Sequence, residues 1–169
     1  MIHVCSLARL PETVAGTGSR HVVSLLAKED AVTRPAAITP ENHLLLQVHD
    51  IVEPMDGHVV PEHRHVEDLI AFVGRWPREA PLVIHCFAGV SRSTAAAFVT
   101  VCALNPDADE HRIARALRSA SPTATPNIRI VILADHILRR QGRMTGAIRA
   151  IGTGALSEVR PFRIAAKDY

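Results

Sequence analysis

Cys86 and Arg92, with five residues between them, frame the stretch His85-Cys86-Phe87-Ala88-Gly89-Val90-Ser91-Arg92-Ser93. A thiol reacts as its thiolate, which positive charge and backbone N–H groups favour. Arginine offers a planar fork of donors that grips two phosphoryl oxygens at once, which lysine does not. Gly89 gives the intervening chain the freedom to curl, and Ser93 puts a hydroxyl within reach of the sulfur. These residue types suit displacement at phosphorus. The thiolate attacks, the guanidinium holds the oxygens, and the serine hydroxyl eases departure of the sulfur when the intermediate breaks down.

The flanking elements decide whether the stretch can act in this way. Pro81-Leu82-Val83-Ile84-His85 is a short apolar run behind a proline and predicts a buried strand. An alanine-rich apolar segment then runs from about Arg92 to Leu104, where Asn105-Pro106 stops it, and predicts a helix. Cys86 therefore leaves a strand, and the loop after it feeds a helix N-terminus. Backbone N–H groups there lack intrahelical partners and the dipole is positive. Such a loop wraps several amides around one tetrahedral anion; here its lining would be Cys86, Phe87, Ala88, Gly89, Val90, Ser91 and Arg92.

All five fixed positions of His-Cys-x-x-Gly-x-x-Arg-Ser/Thr are present, and on them the chain resembles the cysteine-based protein tyrosine phosphatase superfamily, in its compact dual-specificity branch. The resemblance implies a two-step reaction through a phosphocysteine, without metal or other cofactor, with Cys86, Arg92 and Ser93 in the roles above. It gives His85 a structural role beside the loop. It also implies a general acid at the end of the strand before the pre-loop helix, to protonate the leaving oxygen and then activate water. Asp50 closes the run His43-Leu44-Leu45-Leu46-Gln47-Val48-His49-Asp50 and holds that place. Asp56, in the loop that follows, is the alternative. Downstream, Pro126-Asn127 matches the Pro-Asn that opens the last helix in many relatives. Asn127 is expected to cap that helix and to help hold the loop.

Two other readings compete. A phosphate-binding module without catalysis would show damage to the nucleophile, arginine or acid, yet Cys86, Arg92 and Asp50 are all in place. A rhodanese-like sulfurtransferase also cradles anions around a cysteine, but needs neither the full motif nor the aspartate. For substrate, the only tyrosine is Tyr169, so the ring clamp of the larger tyrosine-specific enzymes has no counterpart. The loop lacks the lysines common in phosphoinositide phosphatases, while Phe87 and Val90 give it an apolar rim suited to an aryl phosphate. A phosphoprotein is the favoured partner, with a small aryl phosphate or metabolite as alternative.

The rest of the chain must position these groups. Strands at residues 2–7, 21–26, 43–50 and 81–85 alternate with helices at 62–76, 92–104, 107–120 and 127–140, the last stopping at Gly142. A helical turn fits within 11–18, and a short strand at 159–164. The fold class is α/β, with a central, mostly parallel sheet of four to five strands flanked by helices, and the site falls at the strands' carboxyl ends. Residues 1–142 are expected to form the phosphatase-like domain and 143–169 an extension packed on it.

Composition sets further bounds. With 47% hydrophobic and 21% charged residues the chain is globular, and its net charge of +2 singles out neither nucleic acid nor membrane as partner. From Arg139 onward, Arg140, Arg143, Arg149, Arg160, Arg163 and Lys167 face only Glu158 and Asp168; they read as a solvated edge. His58, His63 and His65 cluster, but nothing nearby completes four metal ligands. Cys5 and Cys102 read as core thiols, with a reversible disulfide to Cys86 as the alternative. No run is long and apolar enough to span a membrane, no signal-peptide layout opens the chain, and the expected location is the cytoplasm.

Overall fold

A computed structural model describes residues 1–167 and 169; Asp168 lies outside the described residues. Strands β1 (Ile2–Ser6), β2 (His21–Leu26), β3 (His43–Gln47), β4 (Leu82–Cys86) and β5 (Phe162–Ile164) make one sheet in the order β3-β2-β4-β1-β5. The first four run parallel, and β5 joins β1 antiparallel. Among the described residues six α-helices flank the sheet: α1 (Leu10–Thr17), α2 (His63–Arg75), α3 (Arg92–Leu104), α4 (Glu110–Ala120), α5 (Ile128–Ile137) and α6 (Arg143–Ile151).

Side-chain alternation along β4 sorts the two faces. Leu82, Ile84 and Cys86 point into the main core, formed with α2, α3 and α5 through Val66, Leu69, Phe98, Val99, Ile130 and Val131. Val83 points the other way, into a smaller cluster with Cys5, Leu10, Val14, Val22 and Ile38. The central β4 is buried at every position because both faces are covered, as parallel strands require. Helix α3 is buried along almost its whole length, Arg92 to Cys102. Its apolar run reads the same on all sides because it is an interior helix. Helix α2 is amphipathic instead, burying Val66, Leu69, Phe72 and Val73, and starts with a capping box between Glu62 and His65.

Several expected boundaries move, each for a local reason. β3 ends at Gln47, and the chain continues extended through Val48, whose N–H donates to Leu26 O at 2.8 Å. Asp109, not Asp107, caps α4, its carboxylate accepting from His111 N–H at 2.9 Å. Gly142 begins a helix rather than ending one. α5 stops at Ile137, and the buried Asp135 carboxylate accepts from the N–H groups of Gly142 (2.7 Å) and Thr145 (2.8 Å). Those bonds start α6, which packs on α4 and α5. The basic edge is also not wholly solvated. Arg140 is buried, paired with buried Glu110 at 2.9 Å, and Arg143 reaches the same carboxylate at 3.2 Å.

Candidate active site

β4 delivers Cys86 to the carboxyl edge of the sheet, and α3 begins six residues later at Arg92. Between them the chain curls back over the sulfur. The turn depends on Gly89, whose φ is +78° and where a Cβ would lie 2.9 Å from the Cys5 carbonyl carbon and the Ser6 nitrogen. Only glycine satisfies both the left-handed backbone and that close approach.

Outside donors hold the loop carbonyls. Leu7 N–H donates to Phe87 O (3.1 Å), Thr125 N–H to Val90 O (3.0 Å), and Asn127 and Ala95 N–H to Ser91 O (3.3 and 3.0 Å). In a planar trans peptide the N–H points opposite to the C=O. With these carbonyls turned outward, the amides of Ala88, Ser91 and Arg92 turn inward. Gly89 N–H donates to Cys86 Sγ at 3.2 Å, and Ser93 Oγ lies 3.1 Å from the same sulfur. The thiol sits at the bottom of the cradle, almost wholly buried, while the Phe87 ring at the rim is 59% exposed.

Arg92 is buried although charged. Its Nη1 donates to Val48 O at 2.8 Å, and its Nε is buried without a protein acceptor. A desolvated guanidinium donor of this kind is costly unless an anion meets it.

Asp50 lies beside this cradle. Its Oδ1 accepts from Ser91 Oγ at 2.7 Å and from Asn127 Nδ2 at 2.8 Å, and its side chain is exposed. Asn127 works twice, because its Oδ1 also accepts from Arg129 and Ile130 N–H and caps α5. The loop after Asp50 is closed by His49, whose N–H donates to Val59 O (2.8 Å) and whose Nδ1 accepts from Val59 N–H (2.9 Å). Arg129 Nε and Nη1 donate to Pro61 O and Val52 O, tying down both ends of that loop. Asp56 lies on its outer side, in a surface depression shared with Met55, His58, Arg64 and Arg129.

The structure thus brings together Cys86, Arg92, Ser93, Asp50, Asn127 and the loop from Phe87 to Ser91. The three clustered histidines serve separate ends: His58 packs edge-on to His49, His63 edge-on to His136, and His65 belongs to the α2 cap. Cys5 and Cys86 face opposite sides of the sheet, and Cys102 lies ten residues along α3 from Arg92, about 15 Å away by helical rise. Burial pushes the Cys5 thiol up to about 11 and the Cys102 thiol higher still.

Sequence reasoning missed Arg129 and the pair Ser24 and His43. A cation in the first turn of α5 is disfavoured by the dipole, and that was the available signal for Arg129. Ser24 Oγ lies 2.6 Å from His85 Nε2 and 2.8 Å from His43 Nε2, contacts spanning 61 and 19 residues. Burial drives His85 down to about 4, against a smaller upward pull from the Cys86 main chain.

The protein-tyrosine phosphatase family model matches residues 36–127, a span that holds Asp50, the signature loop and Asn127. Among solved structures, the chain is similar to DUSP15, with TM-score 0.65 and 19% identity over 89% of each chain. It is also similar to the Cydia pomonella PTP-2 phosphatase, with TM-score 0.62 and 20% identity over 80% of this chain and 84% of that one. Human DUSP28 aligns with TM-score 0.60 and 18% identity over 83% and 89% of the two chains. At these identities the likeness is one of fold, that of the compact dual-specificity phosphatases. No curated protein sequence matches significantly.

Proposed function

Because this chain belongs to the protein-tyrosine phosphatase family, we propose that it hydrolyses phosphomonoesters by way of a phosphocysteine, without metal, acting on phosphotyrosine with or without phosphoserine and phosphothreonine in proteins. The observation that carries the reading is the convergence of the Cys86 cradle, the Arg92 Nε without a protein acceptor and the Asp50 carboxylate at one sheet edge. In the first step Cys86 Sγ, as thiolate, bonds to phosphorus while the P–O ester bond breaks. Asp50 gives its proton to the departing oxygen. The inward amides and Arg92 stabilise the charge on the phosphoryl oxygens. In the second step Asp50, now a carboxylate, takes a proton from water as the water oxygen bonds to phosphorus. The S–P bond breaks, the Ser93 hydroxyl stabilises the leaving thiolate, and phosphate departs.

Phe87, exposed at the rim, supports an aryl group at the mouth. We read residues 143–169 as part of the same domain, supported by α6 packing on α4 and α5 and by β5 pairing with β1. No described helix is long and apolar enough to cross a membrane. Three free thiols suit a reducing compartment such as the cytoplasm. The test is p-nitrophenyl phosphate hydrolysis with EDTA and reductant, for wild type and Cys86→Ser. Vanadate-sensitive turnover that disappears in the variant is expected. Phosphate binding without turnover in the wild type would overturn the enzymatic reading in favour of a binding module.

A further inference from the structure

Beyond Asp50 and Ile51, every residue from Val52 to His58 is exposed. Burial therefore does not hold this loop, and its place beside the cradle depends on polar ties. Asn127 and Arg129 tie it from the α5 side. From the opposite side, toward β2, the tie runs through His49, which sits between two parts of the site. Val48 O before it accepts from Arg92 Nη1, and Asp50 follows it. The His49 side chain is only 14% exposed. A main-chain N–H can only donate, so the 2.9 Å bond from Val59 N–H makes Nδ1 the acceptor. The neutral ring then carries its proton on Nε2, which faces Glu29 Oε2 at 3.2 Å. Glu29 stands on a tight turn at the end of β2. Asp30 N–H donates to Ala27 O and Ala27 N–H to Asp30 Oδ2, both at 3.1 Å, and close that turn. His58 packs edge-on to the His49 ring, with centroids 4.6 Å apart.

We propose that His49 is a positioning residue for Asp50, with Glu29 as its anchor: the ring bridges the β2 turn to Val59 and closes the base of the acid loop, so that the Asp50 main chain keeps one position against the cradle. The two contacts make different demands. Val59 sets which nitrogen accepts, and Glu29 sets the plane of the ring. An exposed carboxylate adds little to stability, and Glu29, 57% exposed, acts by orientation instead. Small displacements of a reacting group cost rate out of proportion to stability, so the clasp matters most in the step that needs the proton. This role rests on the reading of Asp50 as the acid; the ring tautomer and the Val59 bond do not.

The test reads both. Ring-nitrogen NMR of 15N-histidine-labelled protein at pH 8, where a histidine of ordinary pKa, about 6.5, is neutral, is expected to show His49 protonated at Nε2. His49→Leu removes both contacts. It should speed amide hydrogen exchange at Val59 about tenfold and lower kcat/KM for phenyl phosphate about tenfold, with 2,4-dinitrophenyl phosphate held within about twofold. His49→Asn returns an acceptor oxygen near the place of Nδ1 and should restore both readouts to within about threefold of wild type; it also keeps the test sound if His49→Leu fails to fold. Glu29→Ala should lower phenyl phosphate turnover about threefold. A wild-type ring protonated at Nδ1 would overturn the proposal. So would equal falls for the two esters in His49→Leu, which mark a merely structural role, or no fall in either. Asp50→Asn, run alongside, separates the two readings. Leaving-group dependence in Asp50→Asn but not in His49→Leu overturns the positioning role alone, and its absence from both overturns the acid assignment.

Discussion

Ser91 Oγ donates to Asp50 Oδ1 at 2.7 Å, across 41 residues of sequence. The loop that cradles the sulfur and the loop that carries the carboxylate are therefore one hydrogen-bonded unit. With Oδ1 occupied by Ser91 and Asn127, the proton to be transferred belongs on Oδ2.

Asp50→Asn removes that proton. Turnover of an ester with a poor leaving group, such as phenyl phosphate, should fall by about a hundredfold, within the usual range for general acids. An activated aryl ester should fall far less, because its oxygen departs without a proton. A series of aryl phosphates of graded leaving-group acidity measures the difference. If Asp56→Asn shows that pattern instead, the acid is misassigned.

Asn127 combines two roles that a substitution can separate. Asn127→Ala loses the α5 cap and should cost about 1 kcal/mol in urea unfolding, together with the Asp50 contact. Asn127→Ser keeps a capping oxygen and should restore most of that stability, yet its short hydroxyl does not replace the donor to Asp50. A stable protein with several-fold lower turnover on phenyl phosphate is the expected result for Asn127→Ser.

Gly89→Ala should be severe. The +78° φ and the 2.9 Å approach to the Cys5 and Ser6 backbone leave no room for a methyl group. A left-handed backbone costs a non-glycine residue roughly 1–2 kcal/mol before any clash is counted. Loss of phosphate affinity with a lowered Tm, measured by calorimetry and thermal unfolding, is expected.

The buried His85 makes stability depend on pH. Its folded pKa, about 4, lies below the 6.5 of an unfolded histidine. The unfolded chain gains the proton first as pH falls, so stability is full above pH 6.5 and declines between 6.5 and 4. The loss at pH 4 amounts to roughly 3 kcal/mol from this one group. Urea unfolding at pH 7, 6, 5 and 4 should show the decline, and His85→Gln should make it shallower, the remainder coming from His3, His21, His43 and His65, which burial also lowers.

How much of this was legible in the sequence varies residue by residue. Cys86, Gly89, Arg92 and Ser93 were readable because the loop is local: its chemistry, its turn and the α3 N-terminus lie within nine residues. Asp50 was readable only as the end of a strand. What ties it to Ser91 is a fold-level contact. Gly142 misled because a glycine in the left-handed region can close one helix or open the next, and Asp135 decides for the second. Arg140 looked solvated because its partner Glu110 is thirty residues upstream, beyond any count of charge within its own segment. Ser24 and His43 gave no signal, since a serine and a histidine on strands are ordinary until the sheet order sets them side by side.

The antiparallel β5, only three residues long, acts as a plug. β1 would otherwise offer an open row of N–H and C=O groups at the sheet margin, the kind of edge on which chains stack, and β5 closes it with Ile164 paired to Ile2 and Phe162 to Val4. The same strand β1 supplies the Cys5–Ser6 floor under Gly89. A foreign strand annealing there would press on that floor, so loss of the C-terminal segment would be felt first as self-association and then as a deformed cradle.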